Sequence, residues 1–270
     1  MTGAEPSGRE GVIVLAVGSL LVWAFWFVSG AAGRTFDSAV IEAVTKLTLW
    51  GAVVFPMALW LARRRDLSVT EAFGLRGGVL RGVGFGLGAT IPMIAALFLS
   101  PLEGFQLDLT IGSGIIGPLA EEILFRGFLF GLLWRVAGWS VPVSILASSL
   151  LFGLAHDGDI LGTALPLAAG GAVLAWVAWK WNSLWPALAL HACMNLWWDA
   201  VRGEHVVPGV GPDLMSTAQL LSVALAVGLT FRFSTTGTRG TSGTSGEWNG
   251  LTTATDLQLK IVDKFQSPRT

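Results

Sequence analysis

Cysteine and histidine are almost missing from this 270-residue chain, which has Cys193 as its one cysteine and His156, His191 and His205 as its three histidines. A single cysteine excludes an intrachain disulfide. So small an inventory also cannot close a zinc site of the usual nitrogen and sulfur ligands unless carboxylates join it. Charge is equally scarce: Asp, Glu, Lys and Arg make up 13% of the residues, against about 25% in soluble domains. A net charge of −1 leaves no basic surplus for gripping phosphates, so nucleic acid is not an expected partner.

Apolar sequence is what the chain has in excess, 53% of it by count, with a mean hydropathy of +0.65. The charges are bunched, and the gaps between them have the length of about 20 residues that a helix needs to cross a bilayer. Eight such runs are present, at about Gly11 to Ala32, Ala39 to Ala62, Gly82 to Ser100, Pro118 to Val136, Val141 to His156, Ile160 to Trp179, Trp181 to Trp198 and Leu214 to Phe231. The first is too long for a signal-peptide core. Backbone in hydrocarbon must satisfy its own hydrogen bonds, so the runs predict an all-α, polytopic membrane bundle of about eight helices, with the lipid bilayer as surroundings.

Arg63, Arg64, Arg65, Arg76 and Arg81 crowd one connection, with Arg135, Lys180 and Arg232 at later turns of the same side. That side is expected to be cytoplasmic, and both termini with it. The other connections carry Arg34, then Glu103 and Asp108, Asp157 and Asp159, and Arg202 and Glu204. Residues 1–232 form the expected membrane domain, with a motif core at 117–195, and 233–270 read as a flexible Gly/Thr/Ser linker and polar tail. Glycines at 82, 84, 86 and 88 lie in an apolar run with no strand before them. They predict close helix packing rather than a phosphate loop. Glu42 and Lys46, four apart, read as a structural pair near the membrane boundary.

Ionisable groups at membrane depth are functional candidates, because each costs roughly 2.5–3.5 kcal/mol on insertion scales. Six residues form the set to explain: Glu121, Glu122, Arg126, His156, His191 and Asn195. Pro118 suits the first position of a helix, which would place both glutamates near the first turn, where the dipole favours carboxylates. Glu122 and Arg126 stand in the favourable acid-first i,i+4 order, and Glu121 points about 100° away, free to work. His191 and Asn195 share one face and can aim two donors at a single oxyanion. Plainer readings exist for each: an internal ion-pair cluster, a helix-to-helix hydrogen bond, and a histidine cap at His156. The four positions Glu121, His156, His191 and Asn195 fall in the same half of the membrane, which three unrelated structural roles would not predict. A carboxylate with an imidazole can hold and deprotonate a water, and a second imidazole with an amide can receive the oxyanion. Together they imply peptide-bond hydrolysis.

Pro118 to Gly127 (PLAEEILFRG), Ser148 to His156 (SSLLFGLAH) and Leu184 to Asn195 (LWPALALHACMN) resemble the CPBP family of intramembrane proteases, which includes CAAX prenyl endopeptidases and bacteriocin-related proteins. Its signatures E-E-x-x-x-R, F-x-x-x-H and H-x-x-x-N are met by Glu121, Glu122 and Arg126, by Phe152 and His156, and by His191 and Asn195. The resemblance implies that Glu121 and His156 activate a water, that His191 and Asn195 form an oxyanion hole, and that Glu122 and Arg126 support the geometry. It implies a membrane protein or peptide as substrate. The family's naming suggests zinc, for which Glu121, His156 and His191 would be the ligands, but the same residues suffice for a metal-free mechanism, and that is the reading preferred. A transporter using the carboxylates as a proton relay and a non-catalytic, immunity-like membrane protein are the alternatives. CAAX processing takes place at the cytoplasmic face, whereas the charge distribution puts this site in the outer half of the membrane.

Overall fold

A computed structural model describes residues 8–63, 66–99, 107–156, 158–201 and 211–234. Arg64, Arg65, Glu103, Asp157, Arg202, Glu204, His205 and the linker and tail from 235 onward lie outside the described residues. Among the described residues every regular element is a helix.

Helices α1 (Gly8–Phe36) and α2 (Ala39–Arg63) are joined through Asp37, whose φ of 47° lets the chain turn in two residues. The short α3 (Val69–Ala72) starts at a capping box made by Ser68 and Glu71. Next come α4 (Val79–Ala89) and α5 (Ile91–Leu99), one apolar run bent by 50° at Thr90. Pro92 supplies no amide to continue the ladder there, while Thr90 Oγ1 donates to the Gly86 carbonyl at 2.9 Å and accepts from Trp197 Nε1 at 2.9 Å. The single run expected from Gly82 to Ser100 is therefore broken.

Helix α6 (residues 107–135) is continuous and right-handed throughout, with widened π segments at Gly112–Ile116 and Ile123–Phe130. Helices α7 (Val141–Leu154), α8 (Ile160–Trp181), α9 (Trp185–Val201) and α10 (Gly211–Phe233) complete the set. Asn182, in the left-handed region at φ 45°, ends α8 in the manner of an αL cap. Among the described residues four helices (α1, α2, α8 and α10) are long and apolar enough to cross a membrane, or five if the bent α4–α5 pair is one span. Helix α7, at 14 residues, is only about 21 Å long, short of the roughly 30 Å hydrocarbon core.

Helix α6 sits in the middle, packed against α2, α7, α8 and α9. Its Leu124, Phe125, Phe128, Leu129, Leu132 and Leu133 are wholly buried beside Trp50 of α2 and Phe152 of α7. Large apolar side chains such as Phe27, Trp60, Leu80, Phe98, Leu161, Leu220 and Phe231 stay exposed on the outside, as a lipid-facing surface requires. The glycine stripe is only half a packing surface. A Cβ at Gly82 or Gly86 would come within 2.7 and 2.6 Å of the α9 backbone at Trp185 and Ala189, whereas Gly84 and Gly88 face open space.

Candidate active site

Glu121 and Glu122 are not at a helix start. Helix α6 begins at Leu107, a full three turns and more before them, and the backbone around Pro118 is helical on both sides. The helix-dipole argument for these carboxylates therefore fails. What tolerates proline in mid-helix is the preceding π turn, in which the Gly117 amide donates to the Gly112 carbonyl, five residues back. Neither Gly117 nor Pro118, which has no amide hydrogen, serves the Ser113 carbonyl. Asn195 of α9 fills that place, donating from Nδ2 to Ser113 O at 3.2 Å.

Three of the six candidates converge on one oxygen. Arg126 Nη1 donates to Glu122 Oε1 at 2.7 Å, as the i,i+4 spacing predicts, and His191 Nδ1 donates to the same oxygen at 2.8 Å. Arg126 Nη2 donates to the Gly171 carbonyl of α8 at 3.2 Å, and the guanidinium lies 4.2 Å from the centre of the Phe152 ring. Glu122 is 0% exposed, and its Oε2 is buried with no partner. The Arg126 charge and the two donated hydrogen bonds offset the cost of burying this carboxylate.

The expectation that Glu121 is free does not hold. Lys46 of α2 donates to Glu121 Oε1 at 3.4 Å, so the carboxylate that escapes Arg126 is held by a cation from another helix. The same ammonium lies 3.7 Å from Glu42 Oε1 and 3.7 Å over the Trp26 ring of α1. The Glu42 and Lys46 pair is thus the outer end of a network and not a self-contained boundary pair. On its other side Glu121 Oε2 lies 3.8 Å from His191 Nε2, too far for a direct hydrogen bond.

His156 follows the last turn of α7, its amide donating to the Gly153 carbonyl at 3.2 Å. Its Nδ1 is 2.7 Å from the Phe152 carbonyl, which can only accept, so the proton is on Nδ1 and Nε2 carries the lone pair. The plain reading as a helix cap and the functional reading are compatible, since one ring nitrogen caps α7 and the other remains available. Phe152 is the hub between these rings, with edge contacts to His156 at 4.8 Å and His191 at 5.8 Å between centroids. Trp26 contacts His156 edge-on at 5.0 Å.

His191 and Asn195 do not present two vacant donors. His191 Nδ1 is committed to Glu122, and its Nε2 donates only when the ring is protonated; Asn195 has one of its two amide hydrogens on Ser113 O. Sequence reasoning missed Lys46 and Trp26 as members of the site, and no motif spacing links α1 or α2 to α6. Among the described residues no three His, Cys, Asp or Glu side chains are grouped so as to hold an ion; the Lys46 ammonium lies on Glu121 Oε1, and Oε2 faces His191. A cavity of about 1040 Å³ lies between α7, α8 and α10 and is walled by apolar residues such as Ile145, Leu150, Ala172, Trp176 and Phe231; none of the six lines it.

Residues 104–197 match the family described as type II CAAX prenyl endopeptidase Rce1-like. A curated relative, the UPF0177 protein YxdF of Lactococcus lactis subsp. lactis (strain IL1403), is 36% identical over 83 residues, which cover 31% of this chain and 44% of that protein. The chain thus spans less than half the length of that relative. No solved structure matches. The matched segment holds all six motif residues, and with the apolar helices around it the chain is a multi-pass membrane protein whose resemblance to the CPBP family of intramembrane proteases is carried by residues 104–197.

Proposed function

We propose that the chain is an intramembrane endopeptidase of the CAAX-like type, hydrolysing a peptide bond of a membrane-embedded protein or peptide with water and no metal. The observation that carries this reading is the buried polar centre in which His191 lies 2.8 Å from Glu122 and 3.8 Å from Glu121, with His156 joined to it through the Phe152 and Trp26 rings. Such a centre has no packing purpose in a bilayer, where ionised groups are costly.

Glu121 and the bare Nε2 of His156 hold a water and take its proton as it attacks the scissile carbonyl. Oxygen of that carbonyl becomes negative in the tetrahedral intermediate. His191, fixed at Nδ1 by Glu122, turns Nε2 towards this oxygen and donates to it when that nitrogen carries a proton, with the second amide hydrogen of Asn195 beside it. Glu122 supports His191 in the way a buried carboxylate supports the histidine of a serine protease, by fixing the ring and offsetting its charge. Arg126 offsets Glu122 in turn. Collapse of the intermediate breaks the C–N bond: the acyl half keeps the water oxygen as a free carboxyl, and the proton taken from water passes to the departing nitrogen, giving a free amine.

The test is cleavage of a library of membrane-spanning peptides by the purified protein in lipid vesicles, with Glu121→Gln as control. Cleavage by wild type and not by the variant supports the reading. Identical product patterns from both would reject it.

A further inference from the structure

Two carboxylates adjacent in sequence and buried in one centre repel each other unless each has its own cation. Glu122 has Arg126, four residues along the same helix, at 2.7 Å. Glu121 has Lys46, 75 residues earlier and on α2, at 3.4 Å. Around Glu121 stand Lys46 from α2 at 3.4 Å and His191 from α9 at 3.8 Å. Of the two cations, only Lys46 hydrogen-bonds to Glu121.

Lys46 is 5% exposed, a costly place for an ammonium, and its surroundings define one position for it. Trp26 presents its ring face at 3.7 Å, Glu42 lies at 3.7 Å on the outer side, and Glu121 lies inward. The same Trp26 ring meets His156 edge-on at 5.0 Å. One aromatic side chain from α1 therefore touches both the residue that holds Glu121 and the histidine assigned to the water.

We propose that Lys46, seated between Trp26 and Glu42, is a positioning residue that orients Glu121 towards the water shared with His156, so that α1 and α2, which lie outside the matched segment 104–197, complete the site. The kinetic part of this proposal rests on the hydrolytic reading above; the structural part does not.

The experiment compares Lys46→Met, Lys46→Arg, Glu121→Gln and the double variant Lys46→Met/Glu121→Gln in the full chain, purified in lipid vesicles. Lys46→Met keeps the length of the side chain and removes the charge. In peptide cleavage it is expected to lower kcat about 100-fold, the scale of a misplaced catalytic group, with KM changed less than about threefold. Lys46→Arg is expected to restore most of kcat. In thermal unfolding, Lys46→Met is expected to melt below wild type, and the double variant above Lys46→Met, because neutralising Glu121 removes the stranded charge. Wild-type kcat in Lys46→Met, or no recovery in Lys46→Arg, would overturn the positioning role. Additive melting shifts in the double variant would overturn the pairing itself. If wild type cleaves no peptide while the melting order holds, the hydrolytic reading fails and the Lys46–Glu121 pair stands.

Discussion

The two neighbouring glutamates of α6 are held by different parts of the molecule. Glu122 is held within the motif core, by Arg126 of the same helix and His191 of α9, both in motifs that the sequence displays. Glu121 is held by Lys46, supported by Trp26, from a helix pair that carries no motif at all. The difference separates two tasks. The carboxylate that only needs to stay fixed is enclosed at 0% exposure, and the one assigned to chemistry is held from outside the core at 7% exposure, with one oxygen facing His191 across 3.8 Å.

The comparison breaks most sharply if Glu121 proves dispensable. Glu121→Gln is expected to insert and fold, melting somewhat below wild type because Lys46 loses one counter-charge, and to lose turnover by about 100- to 10,000-fold, the scale of a general base. Turnover near wild type would transfer the base role elsewhere. Glu122→Gln is expected to cost both activity and about 3 kcal/mol of stability, since Arg126 would lose its buried counter-charge and His191 a hydrogen-bond acceptor. Equal melting of this variant and wild type would contradict the enclosed network.

Asn195→Ala sharpens the account of α9. Removal of one oxyanion donor costs about 100-fold in the chemical step, so kcat is expected to fall with KM little changed. Because Asn195 also serves the Ser113 carbonyl beside Pro118, a small drop in melting temperature is expected alongside. A change confined to KM would instead place Asn195 in substrate binding.

The smallest effect is expected at the outer end of α2, whose Ser38, Ala39 and Val40 are capped by Asp108. Ser38 donates its hydroxyl to Asp108 at 2.7 Å, and the Ala39 and Val40 amides follow at 2.7 and 3.4 Å. The Ser38 hydroxyl, with the two amides, holds the Asp108 carboxyl below its ordinary value despite some desolvation. A carboxylate depressed in the folded state contributes stability above its unfolded pKa and loses it as pH falls through the folded one. Asp108→Asn is expected to flatten the acid side of the melting curve slightly without changing turnover at neutral pH. An unchanged slope would remove the cap from the account.

Much of this was legible in the sequence, for specific reasons. Uncharged runs gave the helices, since hydropathy is local, and the i,i+4 order gave the pair of Glu122 and Arg126. The start of α6 was misread at Pro118, because a π turn that admits proline leaves no mark in side-chain periodicity. His191 and Asn195 were placed on one face as expected, yet their donors are already committed to Glu122 and Ser113. Lys46 was paired with Glu42 from spacing alone, which sees four residues along one helix and cannot see Glu121 across the interface.

Lys46 also decides the most direct test. A divalent ion and the Lys46 ammonium would compete for one Glu121 carboxylate. Peptide cleavage is therefore measured after exhaustive treatment with a tight-binding chelator, with the metal content of the same sample determined by elemental analysis. Full activity with far less than one metal per chain is the predicted result. Loss of activity on chelation, with recovery at about one zinc per chain, would contradict it and make Glu121, His156 and His191 ligands.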